Sequence, residues 1–275
     1  MRKATFGALA LPVLATGGLV AGAQPAGAQT PTLNGDLDGD GRADRATLVA
    51  SGSVPGSCAV SVELGLAGGG YGPATSYDFT VPGADYDYCP DMGVIVDLGG
   101  DGVSELVLAW FAGSPVATAG DLLVLRDFVP VDGFAAMYQP STISTHDFNA
   151  DGLVDIYQTT DQGDGFQSYL NTPSGELVPG PVQQAYQFGS WQLTDVDEDG
   201  KADLAVSYGG DAGGEYEEAT VVVLDDGTRV VLDDGPAGNL TVGDANHDGH
   251  VDIAVQDGTD TRIFYGDGLG GFTPK

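Results

Sequence analysis

Beyond residue 28, apolar and polar residues alternate in short runs, and no stretch of the chain keeps a helical period. The clearest apolar runs are Leu106-Val107-Leu108, Leu204-Ala205-Val206 and Ile253-Ala254-Val255. Upstream of three polar segments, Ile143 with Thr145, Trp191 with Leu193 and Leu240 with Val242 fall at every second position. Residues two apart line one side of a strand. The pattern therefore predicts strand, polar loop, strand, repeated along an all-β chain. In the stretch from 190, strands are predicted over 191–194, 204–208, 220–224 and 228–232, with turns at 209–211 and 225–227. Four strands then make one unit.

The polar loops share one frame. The fullest copy is Asp195-Val196-Asp197-Glu198-Asp199-Gly200-Lys201-Ala202-Asp203, with carboxylates at positions 1, 3, 5 and 9 and glycine at 6. The first copy places Asp36, Asp38, Asp40, Gly41 and Asp44 on it, and the second Asp97, Gly99, Asp101, Gly102 and Glu105. The third places Asp147, Asn149, Asp151, Gly152 and Asp155, and the fifth Asp244, Asn246, Asp248, Gly249 and Asp252. Position 7 varies freely, as Arg42, Val103, Leu153, Lys201 and His250, so it is expected to offer its backbone carbonyl. Carboxylates this close repel one another unless a cation lies between them. Six to eight oxygens in an irregular cage suit Ca²⁺, and four to five ions are expected. Asp/Gly-rich turns need only one or two such residues, too few to account for five copies. The second copy is the weakest, because Gly99 has no side chain and Glu105 is longer than aspartate.

An EF-hand is excluded. Its loop needs an acidic residue at position 12 and helices on both sides. Here position 12 is Thr47, Leu108, Gln158, Val206 or Val255, and the flanks read as strands.

The loops begin at 36, 97, 147, 195 and 244, so the intervals are 61, 50, 48 and 49 residues. A period near 50 with several strands per unit marks stacked or radial β repeats. The repeats begin near 32, 92, 142, 190 and 239. The longer first interval holds an insertion of about a dozen residues carrying Tyr71, Tyr77, Tyr86 and Tyr88. The last unit is short, and in a closed ring the segment 29–35 is expected to lie beside it and complete the seam.

The pattern Asp-x-Asp/Asn-x-Asp-Gly-x-x-Asp followed by Leu/Ile-x-Val resembles the FG-GAP and VCBS repeats, the former familiar from integrin α heads. The glycine-rich turn Tyr265-Gly266-Asp267-Gly268-Leu269-Gly270-Gly271-Phe272 looks like the close of such a repeat, and Val60 to Gly65 with Gly68 to Gly72 echo it. The resemblance covers 32–275 and implies a β-propeller with one repeat per blade and Ca²⁺ between a blade's first two strands. On that basis residues 29–275 are expected to form five four-stranded blades, where many relatives have seven. Some family members bind carbohydrate, others protein ligands, and some are lyases or hydrolases.

The first 28 residues read as a secretory leader. Arg2 and Lys3 precede an apolar stretch to Gly22, and Ala26-Gly27-Ala28 is a signal-peptidase site, so cleavage after Ala28 and export are expected. The Ala/Gly-rich leader looks bacterial. No later segment is apolar enough to span a membrane. The whole chain carries a net charge of −31; without Arg2 and Lys3 it is −33, and five divalent ions would offset ten charges. Such an acidic surface disfavours nucleic acid, whose binding needs basic residues. Cys58 and Cys89 are the two cysteines, and in an exported chain they point to one disulfide, with free thiols the alternative.

Catalytic signatures are missing: there is no Gly-x-Ser-x-Gly elbow and no His-Glu-x-x-His pair. His146, His247 and His250 all sit beside or inside the acidic loops. A glycosidase carboxylate pair stays open, because 23 of the 40 acidic residues lie outside the 17 at ligand positions. The expectation is a non-enzymatic, monomeric binding or scaffold module with an extracellular protein or carbohydrate partner. A lectin is the first alternative and a polysaccharide lyase or hydrolase the second. Trp110, Phe111, Trp191, Tyr86 and Tyr88 are the aromatic candidates for stacking on sugar rings, with Trp191 favoured as core.

Overall fold

The computed structural model describes residues 31–50, 57–81, 89–110, 122–134, 140–159, 165–184, 188–212 and 215–275. The expected leader at 1–28, and Tyr86, Tyr88 and Phe111, lie outside the described residues. Those described form an all-β protein of five separate four-stranded antiparallel sheets, each built from strands consecutive in the chain. The first sheet is β1 (Thr32–Gly35), β2 (Asp44–Ala50), β3 (Ser57–Glu63) and β4 (Thr75–Thr80). The second is β5 (Met92–Val96), β6 (Glu105–Ala109), β7 (Leu122–Arg126) and β8 (Val129–Phe134). The third is β9 (Thr142–His146), β10 (Asp155–Thr159), β11 (Phe166–Asn171) and β12 (Leu177–Gln184). The fourth is β13 (Phe188–Thr194), β14 (Asp203–Ala212), β15 (Glu215–Val223) and β16 (Arg229–Asp233). The fifth is β17 (Asn239–Gly243), β18 (Asp252–Asp257), β19 (Asp260–Gly266) and β20 (Phe272–Pro274).

The last unit is complete in itself, because the fifth sheet supplies its own fourth strand, β20, while β1 pairs with β2 in the first sheet. One local expectation needs correction. The turn expected at 209–211 is strand. Gly209 and Gly210 pair with Glu218 and Glu217, so β14 and β15 run on as a two-stranded ribbon past the ends of β13 and β16. Glycine and aspartate mark turns only statistically, and cross-strand pairing prevails here.

The strand period of two allocates the core. Leu106 and Leu108 of β6 pack with Leu48, Val60 and Phe79 of the first sheet, while Val107 and Ala109 pack with Ile156, Tyr169 and Leu177 of the third. In β14, Leu204, Val206 and Tyr208 join Phe148, Phe166 and Val182, while Ala205 joins Leu240, Ile253 and Val255 of the fifth sheet. The second and fourth sheets are thus apolar on both faces, which is why their central strands read as aliphatic runs such as Leu106-Val107-Leu108 and Leu204-Ala205-Val206. First strands adjoin, with β1 beside β5, β5 beside β9 and β13 beside β17. Trp110 is buried in the core between the first two sheets, and Trp191 packs edge-on against Tyr157 and Phe166, so neither is an open platform.

The disulfide forms. Cys58 in β3 is bonded to Cys89, with Cα atoms 5.5 Å apart across 31 residues of chain. Closing a loop of that length stabilises by about 3–4 kcal/mol on the chain-entropy model. Replacing both cysteines by alanine is expected to lower the unfolding free energy by about 3 kcal/mol, read by denaturant titration; a loss under about 1 kcal/mol would show that the bridge ties down nothing.

Candidate metal centres

Each acidic loop joins the first two strands of its sheet, and all five share one backbone course. Position 4 lies in the left-handed region in every copy: Gly39 at +73°, Gly100 at +69°, Ala150 at +57°, Glu198 at +62° and His247 at +66°. The glycine at position 6 repeats it, from +81° at Gly41 to +97° at Gly249. These two kinks curl the loop so that its amides meet its own carboxylates. Position 6 was legible because only glycine is used there. Position 4 was not, because Ala150, Glu198 and His247 hide the conformation behind ordinary residues.

The position-1 carboxylate accepts the amides of positions 5 and 6. Asp36 accepts from Asp40 at 3.1 Å and Gly41 at 2.7 Å, and Asp97, Asp195 and Asp244 repeat the pair in their loops. Position 5 then accepts the amide of position 7: Arg42, Val103, Leu153, Lys201 and His250 donate at 2.8–3.0 Å. Position 3 accepts the amide of position 5 through Asp38, Asn149, Asp197 and Asn246. Gly99 has no side chain to do so. In loops one and four, the ligand oxygens of Asp36, Asp38 and Asp40, and of Asp195, Asp197 and Asp199, lie within 4.8 Å of one another. In loop three, Oδ1 of Asp147 is buried with no hydrogen-bond partner, whereas its counterparts each take an amide. An orphaned buried carboxylate oxygen in an all-oxygen donor set fits a hard cation.

Position 9 stands apart from this cluster. Asp44, Asp155, Asp203 and Asp252 are fully buried and clip the loop to the end of the third strand. One oxygen accepts the position-2 amide, from Leu37, Phe148, Val196 and Ala245 at 2.7–2.8 Å. The other accepts the amide just past or at the end of that strand, from Gly65, Asn171, Asp225 and Gly266 at 2.7–2.9 Å. At least one oxygen of each keeps a lone pair, while Oδ2 of Asp252 also takes the Asn246 amide, so the first task of position 9 is structural. This also explains Gly65 in the glycine-rich turn: a Cβ there would sit 2.5 Å from the Ala43 carbonyl oxygen.

Burial acts on these acids. It pushes the Asp155 carboxyl above its ordinary value and that of Asp203 up to about 6, against the lowering effect of their amide bonds. Asp199 is held below the ordinary range by the hydrogen bond from Lys201. Because the Asp203 value is raised from 3.8, protonation favours the folded chain. That contribution is full below pH 3.8 and lost as pH rises through about 6. In cation-free protein the Asp203 carboxyl carbon is therefore expected to titrate near pH 6 by NMR, and to titrate lower once the loop is loaded. Titration at the ordinary value would show the carboxylate to be solvated.

The loops also touch one another in chain order. At Gly39 an added Cβ would lie 2.7 Å from the Gly102 carbonyl oxygen, and at Gly100 2.7 Å from Leu153 Cδ2. The Ala202 amide donates to the Phe148 carbonyl at 3.0 Å, and His250 Nδ1 meets Glu198 at 2.6 Å. Adjacent acidic loops therefore lie side by side along one end of the stacked sheets.

No protein-family model matches the chain, and neither does any curated protein at a significant level. Among solved structures, one similar chain is the V. cholerae biofilm matrix protein Bap1, at 16% identity and a TM-score of 0.36, covering 88% of this chain and 38% of that one. Another is the Photorhabdus luminescens Tc holotoxin pore, at 16% identity and a TM-score of 0.28, covering 87% of this chain and 11% of that one. This chain thus spans well under half the length of either.

Proposed function

We propose that this protein is an exported, calcium-stabilised β-propeller of the FG-GAP/VCBS type, a binding or scaffold module rather than an enzyme. The observation that carries this reading is the row of acidic loops, each closed by the same amide–carboxylate network, with positions 1, 3 and 5 convergent in loops one and four. The face-to-face succession of five sheets with adjoining first strands supports the blade arrangement. Ca²⁺ is the cation that suits these loops, with Asp36, Asp38 and Asp40, Asp147, Asn149 and Asp151, Asp195, Asp197 and Asp199, and Asp244, Asn246 and Asp248 as side-chain ligands. Its chemistry here is neutralisation of clustered charge. The partner is an extracellular protein or a carbohydrate, presented to loops held on a rigid scaffold.

The test is calorimetric titration of metal-stripped protein with Ca²⁺, expected to show about four ions bound per chain with micromolar or tighter affinity. Absence of binding would reduce the loops to acidic turns and remove the basis of the proposal.

A further inference from the structure

The second loop keeps Asp97 and Asp101 at positions 1 and 5 but departs from its neighbours at positions 3 and 9. Position 3 is Gly99, at φ +89°, and an added Cβ would lie 3.1 Å from the Gly175 nitrogen and 3.5 Å from the Pro173 carbonyl oxygen. The space of the missing ligand is thus closed by the Thr172–Gly175 turn that follows β11, itself held by the Gly175 amide donating to the Thr172 carbonyl at 2.7 Å. In loop four the corresponding turn of the fifth sheet approaches less closely. A Cβ on Gly270 would stand 3.6 Å from the Asp197 Cβ, so an intact carboxylate fits beside it.

Asn171, 1% exposed, fastens this contact. Its Oδ1 accepts the Gly99 amide at 3.0 Å, and its Nδ2 donates to the carbonyls of Asp97 at 3.0 Å and Val154 at 3.2 Å. One carboxamide thereby joins loop two to loop three. At position 9, the 4%-exposed Glu105 accepts the Leu98 amide at 2.9 Å, as its counterparts do. Its second oxygen instead takes Arg126 Nε at 2.8 Å, where the other four loops use a main-chain amide. The guanidinium end lies against Gly175: Nη2 would be 3.0 Å from a Cβ there. A buried carboxylate needs a compensating charge, and in this loop the chain supplies it.

We propose that loop two is not a cation site but a protein joint, closed by Asn171, the Thr172–Gly175 turn and the Glu105–Arg126 pair. The second and third sheets then stay clamped when calcium is withdrawn. This rests on the calcium reading of the other four loops. The joint itself can be tested apart from it.

Bound calcium is counted, and melting followed with calcium and with chelator, for the full chain and for Asp101→Ala, Asp199→Ala and Asn171→Ala. Asp101→Ala is expected to bind as many ions as the parent, and Asp199→Ala one fewer. Asn171→Ala should lower the melting temperature equally in calcium and in chelator. One ion lost from Asp101→Ala, or an Asn171→Ala effect seen only with calcium, would overturn the joint. If the parent binds no calcium, the wider reading fails, yet the chelator comparison still decides the joint: a loss upholds it and no loss refutes it. Should Asn171→Ala not fold, Arg126→Gln at its half-exposed position carries the same comparison.

Discussion

Chelating calcium is expected to lower the melting temperature by roughly 20 °C or more. Four independent sites, each with ligand at a hundredfold excess over Kd, add about 2.7 kcal/mol apiece, about 11 kcal/mol together. A chain of this size shifts by about 2–4 °C per kcal/mol. The physical source is the crowding of like charge: Asp36, Asp38 and Asp40, and likewise Asp195, Asp197 and Asp199, hold oxygens within 4.8 Å of one another. Lys201 offsets part of that charge in loop four by pairing with Asp199 at 2.9 Å, and Arg42 pairs with Asp40 in loop one. Exposed pairs of this kind are screened by solvent and contribute little, too little to replace a divalent ion. Differential scanning calorimetry with calcium and then with chelator makes the comparison. Coincident melts would mean that the loops fold as plain turns.

Asp252→Ala is expected to cost about 3–5 kcal/mol even in chelator. The 1%-exposed carboxylate accepts three main-chain amides, from Ala245 at 2.7 Å, Asn246 at 3.1 Å and Gly266 at 2.9 Å. Hydrogen bonds to a charged acceptor contribute about 1.5–3 kcal/mol each, and truncation leaves the buried Gly266 amide without an acceptor. Asp252→Asn should lose about half as much, because one carboxamide oxygen survives while the NH₂ group meets an amide donor head-on. Denaturant titrations in chelator isolate this effect from metal binding. A loss confined to calcium-loaded protein would instead make position 9 chiefly a ligand.

Both expectations turn on the difference between local and distant information. The acidic frame, the glycine at position 6 and the alternation of strands such as Leu204-Ala205-Val206 are properties of contiguous residues, and the number of units follows from their spacing. The Cys58–Cys89 bridge was legible for a compositional reason, since the chain has only two cysteines. Even within a unit, pairing could overrule composition, as at Gly209 and Gly210, where glycine announced a turn and the register made strand.

The sequence by itself therefore determined the five loop-and-strand units, the donor atoms available in each loop and the all-β class, because period and turn chemistry are written in neighbouring residues. Only the tertiary structure decided what each carboxylate does. The donors that complete position 9 come from 14–22 residues away in the chain, and the Asn171 bridge reaches loop two across 72 residues. The first set is fixed by strand pairing within each sheet and the Asn171 bridge by which sheets pack together, and both are properties of the assembled fold rather than of any contiguous segment.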